Sequence, residues 1–373
     1  MINSLKDFQN IFFIGIAGAG MSALAQYLKG IDKNVSGSDR YFKDGEFNET
    51  QNKLEAEGIF CFEQNGQGIN ELTQVIVVST AIEDTVVEVQ KAKQLNIPII
   101  KRSELLALIS SSKKTIAVGG TSGKSTTVAM LFEILDHAGL KPGLITGAGL
   151  TRLIKQNKIG NAKVGKGAWL IIEADESDGS IIQYKPEIGI LLNVDKDHKD
   201  LPELMQLFEQ FKNNSKTFII NQNNKFAATL SQNVQHDFSS TENSSAGFVM
   251  KDFQQYGFEI SFIVDETKFK LNALGKHNAE NALAAIAAAN FIGVDLKICA
   301  EALKNYEGIY RRHQIIGERN GVVLIDDYAH NPAKCAASIK ACQPVAEKLI
   351  AWFQPHGYAP TKFLRDDFVK EIA

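Results

Sequence analysis

Between Ile116 and Leu131 the chain reads IAVGGTSGKSTTVAML: an apolar strand, a glycine-rich turn, then a helix. A segment of this kind fits one place in a fold, the C-terminal edge of a largely parallel α/β sheet, where a buried strand passes directly into a crossover helix. The common phosphate-binding loop has a glycine five positions before the glycine of Gly-Lys-Ser/Thr. Here that position is Val118, and the nearest glycine, Gly119, stands one residue too close. The chemistry still suits a phosphate. Backbone N–H groups at a helix N-terminus favour anionic oxygens. Lys124 adds positive charge towards the β and γ phosphates, and the Ser125 hydroxyl can hold Mg²⁺. The competing reading, a plain strand–helix turn, leaves the run Gly-Lys-Ser-Thr-Thr unexplained.

The rest of the chain repeats the strand–turn–helix device. At 373 residues two or three domains are expected. In the first 110 residues, IFFIGI, VIVVST and IPII read as buried strands, with GMSALAQYLKG and VVEVQKAKQLN as helices between them. This predicts an open α/β domain over 1–110. A second unit, 111–305, starts at the Gly-Lys-Ser loop. It continues through two apolar strands that end in acids, a polar 221–270 stretch read as a small antiparallel patch, and the Ala-rich helix HNAENALAAIAAANFIG. A third unit, 306–373, is expected to hold a strand, loop and helix in GVVLIDDYAHNPAKCAASIKAC and a further strand in KLIAWFQPH.

Charge and cysteine usage exclude several classes. A formal net charge of -3 argues against a strongly basic nucleic-acid binder. The four cysteines lie far apart with no CxxC pair, so neither a disulfide framework nor a zinc cluster is expected. No signal-peptide core and no run of 18 apolar residues occurs, so no membrane association is expected and a cytoplasmic location is.

Two further motifs carry chemistry. EADESD sets Glu173, Asp175, Glu176 and Asp178 at the end of a strand in the same unit as Lys124, where a carboxylate could complete a Mg²⁺ shell. The next strand ends in NVDKDH and offers His198. Near the N-terminus, Gly15-x-x-Gly18-x-Gly20 departs from the dinucleotide fingerprint G-x-G-x-x-G, but suits a nucleotide diphosphate at a helix start. Asp39, after the second strand, sits where a ribose-binding acid would.

The strings GTSGKSTT, EADESD, NVDKDH, GKHNAENALAA, YRRHQ, DDYAHNP and FQPHGY follow one another in the order seen in Mur ligases, and the chain resembles that family over essentially its whole length. The family's loop is the short form Gly-Thr-x-Gly-Lys-Ser/Thr-Thr, matched by Gly120, Thr121, Gly123, Lys124, Ser125 and Thr126. The resemblance implies a three-domain enzyme: a Rossmann-like domain for a UDP-sugar held at Gly15, Gly18, Gly20 and Asp39, a central ATP-binding domain, and a Rossmann-like third domain for the incoming amine. It implies ATP and Mg²⁺, with Ser125, Glu173 and His198 as metal ligands. Asn278 and Asn281 match adenine-side residues, Arg312 the interdomain arginine, and Asp327 and His330 the third-domain loop over ATP and the amine; Lys124, His198, Arg312, Asp327 and His330 form the implied catalytic set. FIGIAGAGMSALA, VSGSD, VVSTAI and IPIIKRSELL sit where the alanine-adding members carry near-identical strings. The implied reaction joins L-alanine to UDP-N-acetylmuramate through an acyl phosphate, by a monomer or weak homodimer. The tripeptide-adding recycling ligases and a non-catalytic sugar-nucleotide binder are the alternatives.

Several positions depart from the family pattern. Ser122 replaces a His, His313 a Phe and Gly357 an Arg. The 306–373 segment is about half the length the family gives its third domain, so that unit is expected to be incomplete, with an unpaired strand edge, a bare core face and compromised catalysis.

Overall fold

The computed structural model describes residues 2–195, 199–355 and 357–372. Its first unit is a five-stranded parallel sheet of order β3-β2-β1-β4-β5, made of β1 Asn10–Ile14, β2 Asn34–Asp39, β3 Phe60–Glu63, β4 Val75–Val78 and β5 Ile99–Lys101. Helices α1 Ala19–Gly30, α2 Glu49–Ala56, α3 Val87–Gln94 and α4 Arg102–Ser111 run between or after the strands. Ile11, Phe12, Phe13 and Ile14 of β1 are all buried, as expected for a strand covered on both faces. The strand order reverses between β1 and β4, so the crevice of this sheet opens beside the Gly15 turn.

The central sheet has order β11-β10-β6-β9-β7-β8. Its strands are β6 Lys114–Gly119, β7 Gly143–Ile145, β8 Ala162–Lys163, β9 Trp169–Glu173, β10 Ile188–Leu191 and β11 Thr217–Ile220, parallel except for β8. It is covered by α5 Lys124–His137, the short α6 Thr151–Ile154, α7 Leu201–Asn214 and α8 Lys225–Ala228. A parallel pair, β12 Phe238–Ser239 and β13 Phe248–Val249, leads into the antiparallel patch β14 Lys251–Tyr256, β15 Glu259–Val264 and β16 Thr267–Asn272. Then come α9 Lys276–Phe291 and α10 Leu296–Lys304. Helix α9 buries alanines on every side, which suits a helix enclosed by its neighbours rather than one with a wet face.

In α7, Phe211 is fully buried, with its ring edge-on to Phe218 at 5.5 Å. Phe211→Ala should cost about 3–5 kcal/mol, measured as a lower denaturant midpoint at constant slope. A shift below about 1 kcal/mol would mean that the site collapses to fill the void.

The third unit differs from expectation in one element. Strands β17 Gln314–Arg319 and β18 Val322–Asp326 form an antiparallel hairpin, followed by α11 Pro332–Cys342, α12 Tyr358–Phe363 and α13 Arg365–Ile372. The expected strand in KLIAWFQPH does not form over its described residues, Lys348–Pro355. A strand exists only by pairing, and the 314–326 hairpin is the only sheet of this unit among the described residues. Ile350 and Trp352 are instead solvent-exposed, as are Val322 and Leu324 on the hairpin. The unit seats on the central one through Ala341, Cys342 and Ile325 against Leu274 and Phe258.

Candidate active site

In the central sheet β6 lies between β10 and β9, so the loops after three adjacent strands converge at one edge. The loop after β6 carries the Gly-Lys-Ser run, that after β9 the acids, and that after β10 Asn193 and Asp195. The Lys124 Nζ donates to the Gly120 carbonyl and to Glu176 Oε2, each at 2.7 Å. Burial alone would push the Lys124 pKa down, but the carboxylates of Glu176, Asp175 and Glu173 outweigh it and hold the ammonium above the ordinary lysine value. Burial likewise raises Asp175, while Lys124 and the Ser177 N–H bring it net below the usual carboxylate range. The lysine is therefore charged and restrained by Glu176, an acid on the loop after the neighbouring strand β9.

Gly123 caps α5 with φ +87°, a conformation that glycine adopts without a Cβ penalty. Asn193 latches the loop from the other side. Its Oδ1 accepts from Thr121 Oγ1 and from the Ser122 N–H, both at 2.8 Å, and its Nδ2 donates to the Ser122 carbonyl at 3.1 Å. Sequence reading missed this role, although the NVDKDH string contains the residue. Glu173 accepts from the Thr146 hydroxyl and from the Gly147 N–H.

A cavity of about 1020 Å³ spans the central and third units. It is lined from the central unit by Thr121, Gly123, Lys124, Ser125, Thr126, Glu173, Asn278 and Asn281, and from the third unit by Arg312 and Asp327. Asn281 also packs behind the loop, with Thr127 Oγ1 donating to its Oδ1 at 3.4 Å and its Nδ2 donating to Asn278 Oδ1 at 3.3 Å. Arg312 lies near the Tyr328 ring. Asp327 accepts from the His313 N–H at 2.8 Å and the Ala329 N–H at 2.9 Å, which folds the loop around it. His330 sits next to the α11 cap, with Nδ1 3.0 Å from the Tyr328 carbonyl, and does not line the cavity. His198 lies outside the described residues.

At the seam, the His277 and His313 rings are 5.5 Å apart. Burial, then His313, lowers His277 to about 4, with Asp327 opposing. A histidine kept neutral by folding binds fewer protons than in the unfolded chain, so its contribution is complete above pH ~6.5 and is lost as pH falls towards 4. A shift of this size corresponds to roughly 3 kcal/mol at the acid limit. Denaturant unfolding at pH 7 and 4.5 should show the chain losing more stability on acidification than His277→Asn; equal losses would contradict the assignment.

The Gly15–Gly20 turn lies in the other unit. Gly15 and Ile16 donate to the Ser38 carbonyl at 2.7 and 3.0 Å, and Gly15 has φ +78°. Asp39 is buried, and its two oxygens accept from the Ala17 and Tyr41 N–H groups at 2.9 and 3.1 Å, so it braces the turn from below. Gly18 caps α1, and Arg102 covers Gly20, where a Cβ would come within 3.1 Å of the arginine side chain.

A short phosphate loop on one sheet, a diphosphate-type turn on another and a third unit closing the loop's cavity define a nucleotide-dependent enzyme that brings two substrates together across domains. Three family descriptions match: "Mur ligase family, catalytic domain" over 10–114, "Mur ligase middle domain" over 118–289 and "Mur ligase, glutamate ligase domain" over 311–373. A UDP-N-acetylmuramate–L-alanine ligase of Carboxydothermus hydrogenoformans is 34% identical over 97% of this chain and 79% of its own length. One of Syntrophomonas wolfei is 34% identical over 95% and 78%. Among solved structures, a UDP-N-acetylmuramate–alanine ligase of Thermotoga maritima has TM-score 0.83 at 27% identity, covering 97% of this chain and 82% of that one. A murein peptide ligase of Psychrobacter arcticus shares the fold at TM-score 0.75 and 24% identity, over 91% and 77%. The chain belongs to the Mur ligase family, whose members are ATP-dependent ligases.

Proposed function

We propose that this chain joins L-alanine to the lactyl carboxylate of UDP-N-acetylmuramate, coupled to cleavage of ATP to ADP and phosphate. One observation carries the reading: Lys124, Ser125 and Glu173 of the central unit and Arg312 and Asp327 of the third line a single cavity in a chain 34% identical to alanine-adding ligases over most of its length. The sugar nucleotide lies on residues 1–110, its diphosphate at the Gly15, Gly18 and Gly20 turn that Asp39 braces. ATP lies on 111–305, its phosphates on Gly120, Thr121, Gly123, Lys124, Ser125 and Thr126, with Asn278 and Asn281 on the adenine side. Residues 306–373 bring the amine, with Arg312 near the nucleotide and Asp327 and His330 on the loop that closes over it. The reaction runs in the cytoplasm.

A carboxylate oxygen of the sugar nucleotide attacks the γ-phosphorus and ADP leaves. The amine then attacks the acyl carbon, and phosphate departs with the former carboxylate oxygen while the amine nitrogen gives up a proton, taken by the phosphate. An arriving triphosphate competes with Glu176 for Lys124, so the ammonium exchanges one anion for another without passing through an unpaired buried state.

The oxygen-bearing side chains of Ser125 and Glu173, which line the same cavity, fit Mg²⁺, which takes few protein ligands when phosphates supply the rest. The described residues gather no set of three or more metal-ligating acids, histidines or cysteines, and such an ion requires none. When bound, Mg²⁺ neutralises phosphate charge. His198 is the proposed ligand of a second ion. His198→Ala should raise the Mg²⁺ concentration needed for half-maximal turnover, and an unchanged titration would remove it from the metal site.

The test is mass-spectrometric. The chain is incubated with UDP-N-acetylmuramate, ATP, Mg²⁺ and equal L-alanine and L-Ala-D-Glu-diaminopimelate tripeptide. The proposal expects a product heavier by one alanine residue. A tripeptide adduct would move the chain to the recycling branch, and no adduct would leave it a binding protein.

A further inference from the structure

The N-terminal and central units share a continuous apolar core, in which Ile16, Leu24 and Tyr27 pack with Ile145, Ala162 and Leu170. Within it sits one polar residue with an unusual set of partners. Asn161, 2% exposed, precedes β8 in the central unit. Its Nδ2 donates to the Ala19 carbonyl at 2.8 Å and to Ser22 Oγ at 3.0 Å, and its Oδ1 accepts from Gln26 Nε2 at 2.8 Å. All three partners belong to α1, the helix whose first turn forms the Gly15–Gly20 site. The main chain of the same residue faces the other way. Its carbonyl accepts from the Thr146 N–H at 2.9 Å, and the Thr146 hydroxyl donates to Glu173. One residue therefore links the helix of one candidate site to the acid of the other, through two hydrogen bonds beyond itself.

A buried amide contributes little net stability. Unsatisfied it costs about 1–3 kcal/mol, and satisfied it roughly breaks even, so an apolar residue of similar size would bind the two units as well. What the amide adds is register, because its donors and acceptor accept only one placement of α1. Resting on the ligase reading, we propose that Asn161 is a positioning residue, holding the helix that carries the sugar nucleotide at a set distance from Glu173 and the phosphate loop, so that the carboxylate meets the γ-phosphorus in line. A second tie runs parallel to it, Arg102 beside Gly20 pairing with Asp178 of the acidic loop at 3.5 Å. Misplacing two reacting groups by about an ångström costs on the order of 100-fold in rate, without a matching loss in binding of either.

Asn161→Ala should lower kcat roughly 10- to 100-fold, with calorimetric Kd values for UDP-N-acetylmuramate and for ATP each within about threefold of wild type. Gln26→Ala should move kcat in the same direction, and the double variant should be no worse than Asn161→Ala alone. Phe262→Leu, in the edge sheet at β15, is the control for stability: it should lower Tm and leave kcat in place. Unchanged kcat in Asn161→Ala, or a loss that Phe262→Leu reproduces at equal Tm, would overturn the proposal. Hydrogen exchange reads the same link without turnover. In Asn161→Ala the α1 amides near Ser22–Gln26 and the Thr146 amide should all exchange faster; a change on one side only would also overturn it. A wild-type chain that makes no product would contradict the ligase reading and leave the exchange comparison in force.

Discussion

Lys124→Ala should lower ATP turnover by about 1,000-fold while sugar-nucleotide affinity stays within about threefold. The ammonium is the one side-chain cation on the phosphate loop, placed 2.7 Å from the Gly120 carbonyl and from Glu176, and in the proposed reaction it meets the charge that develops on the γ-phosphoryl group. Removing one preorganised donor at such a position costs 100- to 1,000-fold in comparable sites, and a full charge in a shielded cavity belongs at the upper end. The variant also strands Glu176, which is 4% exposed, and the carboxylate would take up a proton rather than stay charged without a partner. Lys124→Ala/Glu176→Gln should therefore melt above Lys124→Ala while remaining inactive. Loss of sugar-nucleotide binding in Lys124→Ala would break the assignment of the two nucleotides to different sheets.

Gly123→Ala should lower kcat/KM for ATP by about 100-fold through backbone geometry alone. At φ +87° an alanine costs roughly 1–2 kcal/mol, and its Cβ would clash with Asn281 Oδ1. Asn281 cannot swing freely, because Asn278 and Thr127 hold its amide. The loop must move instead, and its N–H groups move with it. Wild-type turnover in Gly123→Ala would show that the loop does not hold phosphate in the geometry described.

The strand–turn–helix segments were legible because burial on both faces imposes unbroken apolar runs, as in Ile11–Ile14, and because Gly-Lys-Ser-Thr-Thr has few other uses. Less visible was what fixes the loop. Asn193 and Glu176 stand 69 and 52 residues from Lys124, and only the order of β9, β6 and β10 brings them beside it. The spacing suggests Asp39 as a ribose-side acid; its hydrogen bonds to the backbone, Oδ2 to the Ala17 N–H of the turn and Oδ1 to the Tyr41 N–H just after it, depend on the fold and have no sequence signature. KLIAWFQPH carried a strand's composition without a neighbour to pair with, which no local pattern reveals. Asn161 drew no notice in sequence because a lone asparagine before a short strand has no periodic signature, and its meaning lies in partners about 140 residues away on α1.

The most direct test of the central claim follows one oxygen atom. UDP-N-acetylmuramate labelled with ¹⁸O in the lactyl carboxylate is incubated with the chain, ATP, Mg²⁺ and L-alanine, and the inorganic phosphate is analysed by mass spectrometry. An acyl phosphate requires a carboxylate oxygen to leave on phosphorus, so each phosphate released with product should carry one ¹⁸O. Unlabelled phosphate alongside amide product, or phosphate released with no product at all, would contradict the account.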